Sequence, residues 1–437
     1  MNLTINEKWK NYTCQVIKLP NKTEVKGLDN LVSVIYQGNS CLISRDSNED
    51  ELYLFFPAEC KISTIFLEAN NLYRHSELNV DKEKKGFFED SGRVKALKFK
   101  GVISSGFIVP IRSLDGIITD WENLQVGQEF NSIGDIEICR KYSPYRTPGE
   151  PGSRVQRERM IDQLVNSKFA PEHPDTAQLL RNVHKLELSD TVAITYKLHG
   201  TSARYYNTVV NRKLNWFEKL LTRFGIKIQT EEYDYVSASR RVVKSLGFEE
   251  LPDKQHYYSS GDLWSEVGKN YFNGKLNKGE AVYCEIIGSS YSGEAIQHSY
   301  TYGFKEPKVY IYRISNINPQ GIEIDLPYEQ MKQRAEQLGI PTCPELWYNS
   351  LELFIETYLA TDATSRNIEE DLNEIFYNRL LEQPSIIDSS VVEEGFCIRI
   401  DKYPKPEIFK IKSKKFLLHE SGALDKEVID IEDGESN

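Results

Sequence analysis

The sequence lacks several features that define other protein classes. Its seven cysteines are dispersed, odd in number and without a CxxC pair, so neither a disulfide framework nor a zinc site is expected. No apolar run is long enough to span a bilayer, and the first residues lack the basic-then-apolar pattern of a secretory signal. We therefore expect a soluble protein of a reducing compartment such as the cytoplasm, with no membrane partner.

The charge is acidic overall but unevenly distributed. A net charge of −11 argues against bulk nucleic-acid binding. Between Arg399 and Lys415, however, seven basic residues stand against only Asp401 and Glu407, whereas the segment from Glu420 onward is acidic. Because a ligand responds to the local field, a basic cleft on this acidic protein remains compatible with the composition.

The length and the patterns of the chain predict more than one domain. A chain of 437 residues is too long for one ordinary core. Short strand patterns with Gly and Pro breaks over residues 1–140 predict a small β-barrel, although an ordinary β-domain with a solvated basic strand fits equally well. Residues 141–160 are rich in Pro and Gly and predict a linker. We expect a mixed α+β domain over 161–419, without regular βαβ alternation, and an acidic tail over 420–437.

Helical periodicity marks several segments of the second domain. Leu179, Val183 and Leu186 share a face after a possible cap, which predicts a helix packed behind the neighbouring strand. Residues 208–236 are interpreted as an excursion that contains a short helix. Apolar spacing and stop signals predict three further helices, over residues 329–338, 351–359 and 368–381.

The stretch Tyr196-Lys197-Leu198-His199-Gly200-Thr201-Ser202 is the central candidate for chemistry. It follows an apolar, β-branched run, which places a lysine at the end of a strand before a tight turn. The sheet beneath can desolvate such a lysine, and the following hydroxyls and amides can hold a phosphate. Lys197 is thus a candidate covalent nucleophile toward ATP, although a lone lysine is more often simply solvated.

Two acids lie against apolar strand patterns. Glu285 is the single carboxylate in Val282–Gly288, and a buried carboxylate is costly unless it is paired or used. Glu394 precedes Gly395 at the start of another strand, where a carboxylate can bind Mg²⁺ beside phosphates. The alternatives are a solvent-facing glutamate on an edge strand and an ordinary Glu-Gly turn.

Two further strands carry paired side chains on one face. Period two places Lys410 and Lys412 together, and an α-phosphate would relieve their repulsion. A solvated edge strand that uses lysine against aggregation is the alternative. Tyr310 and Tyr312 also share a face and could stack on a base, although two core tyrosines explain that spacing as well.

The order of these motifs resembles the covalent nucleotidyltransferase superfamily, which includes ATP-dependent RNA ligases, DNA ligases and mRNA-capping enzymes. The resemblance covers most of residues 190–415 and implies a role for each motif. By this resemblance, Lys197 to Gly200 form motif I, which carries the adenylylated lysine, and Ser239-Arg240 form motif Ia. Glu285 is the ribose-binding acid of motif III, and Tyr312 is the aromatic that stacks on adenine. Glu394 is the metal-organising acid of motif IV, and Lys410 and Lys412 form motif V.

Two features of the resemblance favour the RNA ligase branch. His199 stands where DNA ligases and capping enzymes usually have Asp. Only residues 413–437 follow motif V, too few for the OB domain that those enzymes carry there. The segment Lys98-Phe99-Lys100-Gly101-Val102 resembles RNA ligases with an OB-like domain in front. The implied fold is an α+β nucleotidyltransferase domain of antiparallel sheets flanked by helices, preceded by an OB-like β-barrel.

The resemblance implies an ATP-dependent RNA ligase that acts in RNA repair. It would join RNA ends bearing a 3′-hydroxyl and a 5′-phosphate through a lysyl-AMP at Lys197, with Mg²⁺ or Mn²⁺. His199, Gly200 and Arg240 are expected among the nucleotide-binding residues. We expect desolvation, together with the charges of Lys410 and Lys412, to favour the neutral amine of Lys197.

Three other classes of protein stay open on the sequence. A DNA ligase or capping-type enzyme shares the motifs, a non-catalytic nucleic-acid-binding protein would explain the basic strands alone, and a small-molecule nucleotidyltransferase would use the same lysine. The second class leaves the ordered acids Glu285 and Glu394 unexplained. The oligomeric state is also open, with a monomer as the default expectation.

Overall fold

The computed structural model describes residues 2–143, 165–212, 214–250, 261–360 and 367–425. Most of the predicted linker and the part of the acidic tail beyond Asp425 lie outside these ranges. The described chain is an α+β protein whose larger sheets are almost entirely antiparallel, which confirms the predicted fold class. No helix among the described residues is long and apolar enough to cross a membrane.

The N-terminal region is built from short strands. Alternating apolar side chains of the central strands, such as Val16, Leu54 and Phe56, are fully buried in its core. This confirms a β-rich region, while its description as an OB-like barrel stays a prediction. The strands are β1 Leu3–Thr4, β2 Cys14–Lys18, β3 Thr23–Glu24, β4 Leu31–Tyr36, β5 Asn39–Ser44, β6 Leu52–Pro57, β7 Cys60–Ile62, β8 Leu97–Phe99, β9 Val102–Ser104, β10 Gly106–Pro110, β11 Glu129–Phe130, β12 Ser132–Ile133, β13 Ile136–Glu137 and β14 Cys139–Lys141.

These strands form five small sheets. The largest has the order β10-β6-β2-β11, and β3-β4-β5 form a second sheet. The remaining sheets are β1-β12-β13, β14-β7 and β8-β9. Helix α1 (Thr64–Ala69) begins at Ser63, whose side chain accepts a hydrogen bond from the backbone of Phe66.

The second region contains two larger sheets that face the same cavity. A seven-stranded sheet has the order β20-β19-β18-β17-β21-β22-β23, and a five-stranded sheet has the order β15-β26-β25-β16-β24. Their strands are β15 Ala177–Gln178, β16 Thr191–Lys197, β17 Thr201–Asn211, β18 Glu231–Ser239, β19 Val243–Leu246, β20 Glu249–Glu250, β21 Glu280–Gly288, β22 Pro307–Ile317, β23 Glu323–Asp325, β24 Glu345–Ser350, β25 Gly395–Ile400 and β26 Glu407–Lys412.

Helices flank these two sheets. The predicted helix of the 208–236 excursion is present, and the helix predicted to stop at Gly339 ends there with a left-handed φ of 70°. The α-helices are α2 Trp216–Arg223, α3 Leu263–Val267, α4 Tyr328–Leu338, α5 Leu351–Leu359, α6 Ile368–Ile375 and α7 Lys414–Asp425. Short 3-10 helices span 7–12, 76–78, 111–114, 121–123 and 183–185, and π-helical turns span 268–272 and 376–380.

One predicted helix is wrong. Residues 177–178 instead form strand β15, which runs parallel to β26 and pairs Gln178 with Lys410. Only a short 3-10 turn, Val183–Lys185, follows. Leu179 and Leu186 are nevertheless buried in the core behind β16, because their apolar side chains satisfy that packing without a helix. The prediction identified the buried residues but not the backbone partner.

The register of the five-stranded sheet brings the motif residues side by side. Lys197 lies opposite Gly395 in the β16–β25 pair, and Gly395 lies opposite Lys412 in the β25–β26 pair. Cys397 lies opposite Lys410 in the same pair of strands. Because side chains alternate along a strand, Lys197, Lys410 and Lys412 all project from one face of this sheet.

Helix α7 joins the two larger sheets to the N-terminal region. Its Ser421 hydroxyl donates to Glu59 at 3.0 Å and accepts the backbone N–H of Ala96 at 3.1 Å. Arg93 forms an ion pair with Glu59 at 2.7 Å and with Asp425 at 3.3 Å. The Arg93 side chain is only 2% exposed, so its charge depends on these two carboxylates.

This contact leads to a stability prediction. Arg93→Ala should lower the free energy of unfolding by about 3 kcal/mol, because the largely buried Glu59 is left without its cation. Arg45→Ala is the matched control, since Arg45 pairs with a Glu24 side chain that is 71% exposed, and it should cost less than about 1 kcal/mol. Urea denaturation measures both variants, and equal losses would contradict the interpretation.

Candidate active site

All nine predicted site residues line one cavity. Its volume is about 290 Å³, and it lies between the two larger sheets and the N-terminal region. The two sheets supply the predicted site residues, and N-terminal residues such as Tyr12 and Lys141 also line the cavity. The nine residues are Lys197, His199, Gly200, Arg240, Glu285, Tyr312, Glu394, Lys410 and Lys412.

Lys197 forms an ion pair at the centre of this cavity. Its Nζ lies 2.7 Å from Oε1 of Glu394, and Lys412 Nζ lies 3.4 Å from the same oxygen. Burial favours the neutral amine, but the Glu394 carboxylate outweighs burial and raises the pKa of Lys197. The expectation that desolvation and the neighbouring lysines leave Lys197 neutral is therefore wrong for this arrangement, because the nearest charge is an anion.

Glu394 is held by a backbone that approaches very closely. A Cβ at Gly395 would lie 2.0 Å from the carbonyl oxygen of Ile411, so the residue after Glu394 has to be glycine. The Glu394 side chain is 2% exposed. Its Oε2 is buried and has no hydrogen-bond partner among the described residues. A carboxylate oxygen with free acceptor capacity, in a residue that lines a cavity of cations, is the kind of ligand that a divalent metal ion takes.

Lys412 is paired with an acid that sequence reasoning missed. Its Nζ lies 3.0 and 3.3 Å from the two carboxylate oxygens of Glu420 on helix α7. Burial opposes ionisation of Glu420, yet the charge of Lys412 outweighs it and lowers the pKa of Glu420 to about 2. The same contact, together with Glu394, raises the pKa of Lys412. Glu420 falls in the predicted acidic tail, and no local motif distinguishes it from the other acids there.

Lys410 has the opposite environment, although it lies two residues from Lys412. Burial and then the charges of Lys412, Arg240 and Lys197 lower its pKa to about 7. Asp175 is the opposing charge, but Asp175 also forms an ion pair with Arg240 at 2.5 Å. The protonated form of Lys410 is therefore one that an anionic ligand would stabilise.

Glu285 fastens the turn that follows Lys197. Its Oε1 accepts the backbone N–H of Gly200 at 3.0 Å, and its Oε2 accepts the hydroxyl of Ser202 at 3.4 Å. Gly200 itself fits because a Cβ there would lie 2.2 Å from the carbonyl oxygen of Ile286. The predicted cleft-wall position of Glu285 agrees with this geometry.

His199 lines the cavity among aromatic side chains. Its ring packs edge-on against Tyr300 and Phe416, with centroids 5.0 and 4.9 Å away. Its backbone N–H donates to the hydroxyl of Tyr302 at 2.8 Å. Burial lowers the pKa of His199 to about 4, so the ring is neutral at pH 7. A neutral imidazole can donate and accept without adding a further charge to the site.

A β-bulge positions Tyr312 at the other end of the cavity. The β21–β22 register pairs Cys284 with Ile311 and Tyr283 with Arg313, which leaves Tyr312 as the extra residue. Its ring lies edge-on to His173, 5.5 Å away. Sequence reasoning missed His173, since it belongs to an irregular segment without a motif.

The strands present a lysine–glutamate pair, two further lysines and an aromatic side chain around one cavity of nucleotide size. This combination defines a covalent nucleotidyltransferase. A family model described as RNA ligase matches residues 190–412, just over half of the chain and all of these elements. The chain therefore belongs to the RNA ligase family, which confirms the predicted class of enzyme. No curated protein matches it in sequence.

Solved structures show the same fold over nearly the whole chain. A Naegleria gruberi RNA ligase mutant with AMP and Mn is 15% identical, with a TM-score of 0.57 over 92% of this chain and 97% of that one. A second mutant with ATP and Mn is 16% identical, with a TM-score of 0.55 over 94% and 99%. The ligase with PPi is 15% identical, with a TM-score of 0.55 over 94% and 98%.

The contrast between the two motif V lysines predicts opposite effects on stability. Lys410→Met should raise the free energy of unfolding by about 1–3 kcal/mol, because folding then no longer buries a group whose pKa it depresses. The destabilisation by Lys410 is complete below pH 7 and disappears as the pH rises toward the pKa of lysine in the unfolded chain. The stability gained by Lys410→Met should therefore shrink at high pH. Lys412→Met should lower stability by about 2–4 kcal/mol, since Glu394 and Glu420 lose a cation.

Urea denaturation between pH 6 and pH 9 measures this contrast. Each variant is compared with the unaltered protein at the same pH, and both should retain native far-ultraviolet circular dichroism. A loss of stability in Lys410→Met would show that its charge is favourably paired in the folded protein, which contradicts a depressed pKa.

Proposed function

We propose that the protein is an ATP-dependent RNA ligase that joins a 3′-hydroxyl to a 5′-phosphate through a lysyl-AMP at Lys197. The observation that carries this proposal is the convergence of Lys197, Glu394, Lys410 and Lys412 on one cavity. Membership in the RNA ligase family supports RNA as the substrate. Similar structures named as complexes with ATP, AMP, Mn and PPi support ATP and a divalent cation as the other reactants.

In the first step, Nζ of Lys197 attacks the α-phosphorus of ATP. A nitrogen–phosphorus bond forms while the bond from the α-phosphorus to the bridging oxygen breaks, and pyrophosphate leaves with the bonding electrons. Glu394 lies 2.7 Å from Nζ and is placed to accept the proton that the amine must lose. Lys410 and Lys412, on the same sheet face, are placed to stabilise the negative charge that the phosphoryl oxygens carry.

Glu394 also fits a divalent cation. Its Oε2 is buried and finds no hydrogen-bond partner in the described part of the chain. Among the described residues no group of three or more candidate protein ligands occurs, so the ion would be held by this carboxylate together with the phosphates. When bound, such a cation would supply positive charge beside the phosphates, and it would share the Glu394 carboxylate with Lys197.

Other residues of the cavity are placed to hold the nucleoside. Glu285 is an acceptor for a ribose hydroxyl, and Tyr312 offers an aromatic ring for the adenine. Arg240, oriented by Asp175, lies near Lys410 and is suited to a phosphate oxygen. His199 and the backbone of Gly200 border the nucleophile.

The next two steps transfer AMP to RNA and then release it. A 5′-phosphate oxygen attacks the phosphorus of lysyl-AMP, the nitrogen–phosphorus bond breaks, and the Lys197 amine regains a proton. A 3′-hydroxyl then attacks the 5′-phosphorus, forms the phosphodiester and expels AMP. Lys197 forms no bond in the last step, so Lys410, Lys412 and the bound nucleotide must align the ends.

A covalent adduct tests the proposal. With ATP labelled at the α-phosphate and a divalent cation, the protein should carry label through a denaturing gel, because the lysyl-AMP bond survives denaturation. Lys197→Ala should abolish the labelled band. Lys332→Ala is the matched control, since Lys332 is also paired with an acid, Glu345, but lies outside the cavity. A labelled band that persists in Lys197→Ala would refute the assignment of the nucleophile.

The sugar at the nick tests the choice of RNA over DNA. Nicked duplexes whose 3′-hydroxyl strand ends in ribose should be sealed at least about 10-fold faster than those ending in deoxyribose, because a 2′-hydroxyl distinguishes the two strands. Adduct formation should be equal with both substrates, since it precedes RNA binding. Equal sealing rates would instead favour a DNA ligase.

A further inference from the structure

The long hairpin of the seven-stranded sheet extends beyond its ladder with β21, while Thr208 and Val210 within it stay buried against residues 165–170. The ladder between β17 and β21 ends at Tyr206, whereas the ladder between β17 and β18 continues to Asn211. Five further residues extend this hairpin by roughly 17 Å. We call the hairpin beyond Tyr206, together with residues 212–230 at its end, the arm.

Helix α2 at the tip of the arm is well capped but buries nothing. Asn215 and Glu218 form a reciprocal capping box, and Arg212 also bonds Glu218. No residue of the helix is buried. Amphipathic helices normally owe their stability to burial of the apolar face, so this face is available to a partner.

The exposed face of the tip is largely aromatic. Five large apolar side chains are exposed there, and three of them are rings. Trp216 is 76% exposed, Phe224 73% and Phe217 52%. The other two are Leu220 and Ile226, at 39% and 50%. A contiguous exposed patch of this kind is rare on a protein without a binding partner for it.

The tip is basic, although the chain is acidic. Residues 212–230 contain five basic residues and one acid, against a net charge of −11 for the whole protein. Lys219, Arg223 and Lys227 are exposed, and none forms an ion pair within the part of the chain that the structure describes. Positive charge interleaved with exposed aromatic rings matches a partner that is both anionic and able to stack.

We propose that the tip of the arm is a docking site for single-stranded RNA outside the active-site cavity, an inference that rests on the proposed function. The cavity is large enough only for a nucleotide, so a bound RNA strand must continue over the surface. The rings supply stacking surfaces for successive bases, and the three cations track the phosphates. Helix α2 has only eight residues and is about 12 Å long. Its apolar face is therefore short for binding to a lipid surface, which favours RNA as the partner.

The position of the arm sets a length requirement for the RNA. Strand β17 runs from Ser202, which contacts Glu285 in the cavity, to Asn211 at the base of the tip. These residues are roughly 30 Å apart along the strand. At about 3.4 Å per stacked nucleotide, this distance corresponds to roughly nine nucleotides. A strand whose bases stay stacked must therefore be about this long to reach the tip from the cavity.

The test compares long and short RNA substrates in two double variants. Trp216→Ala/Phe224→Ala and Lys219→Glu/Arg223→Glu should each raise the KM for sealing RNA strands of about 24 nucleotides by about 10- to 100-fold. The KM for strands of about 6 nucleotides, the kcat and lysyl-AMP formation should be unchanged. Tyr403→Ala is the matched control, since Tyr403 is 84% exposed on another surface. The charge variant should also flatten the dependence of KM on salt concentration.

Each other outcome overturns the proposal. An unchanged KM for long RNA would remove the arm as an RNA site, and equal losses for long and short RNA would indicate a structural effect on the cavity. Arm-dependent sedimentation with phosphatidylserine vesicles, with RNA sealing unaffected, would assign the tip to a lipid surface. Anisotropy of a labelled RNA of about 24 nucleotides measures docking without catalysis, so the arm is tested even if no lysyl-AMP forms and the proposed function fails.

Discussion

A chain of alternating charges holds the candidate site together. Lys197, Glu394, Lys412 and Glu420 follow one another with separations of 2.7, 3.4 and 3.0 Å between their charged atoms. The Glu394 side chain is only 2% exposed, and such a buried charge is costly unless it has a partner; in this chain each inner member has two. Because the four residues come from β16, the turn before β25, β26 and α7, this electrostatic requirement ties those elements to one arrangement.

Helix α7 extends the same constraint to the N-terminal region. It carries Glu420 toward Lys412 and, one residue later, Ser421 toward Glu59. The N-terminal region is therefore connected to Lys412 through one helix and two partly buried contacts. Because of this connection, the N-terminal residues that line the cavity are held at a fixed distance from Lys197.

Lys410 shows that the site is not arranged for maximum stability. Burial, and then the charges of Lys412 and Arg240, lower its pKa to about 7. Such a group lowers the stability of the protein without ligand and becomes favourable only when an anion enters. Functional sites commonly retain unfavourable interactions of this kind, because the substrate supplies the missing charge.

The identities of the residues that line the cavity follow from local sequence patterns. Such patterns are a lysine before a glycine turn, an acid within an apolar strand, and two lysines at period two. The backbone nearby leaves no room for a side chain at Gly200 or Gly395, so the glycines of these patterns are required. The protonation of Lys197 and the part that Glu420 plays are set instead by the folded arrangement. Both depend on distances to groups far along the chain, and electrostatic energy follows distance in space, which no local pattern records.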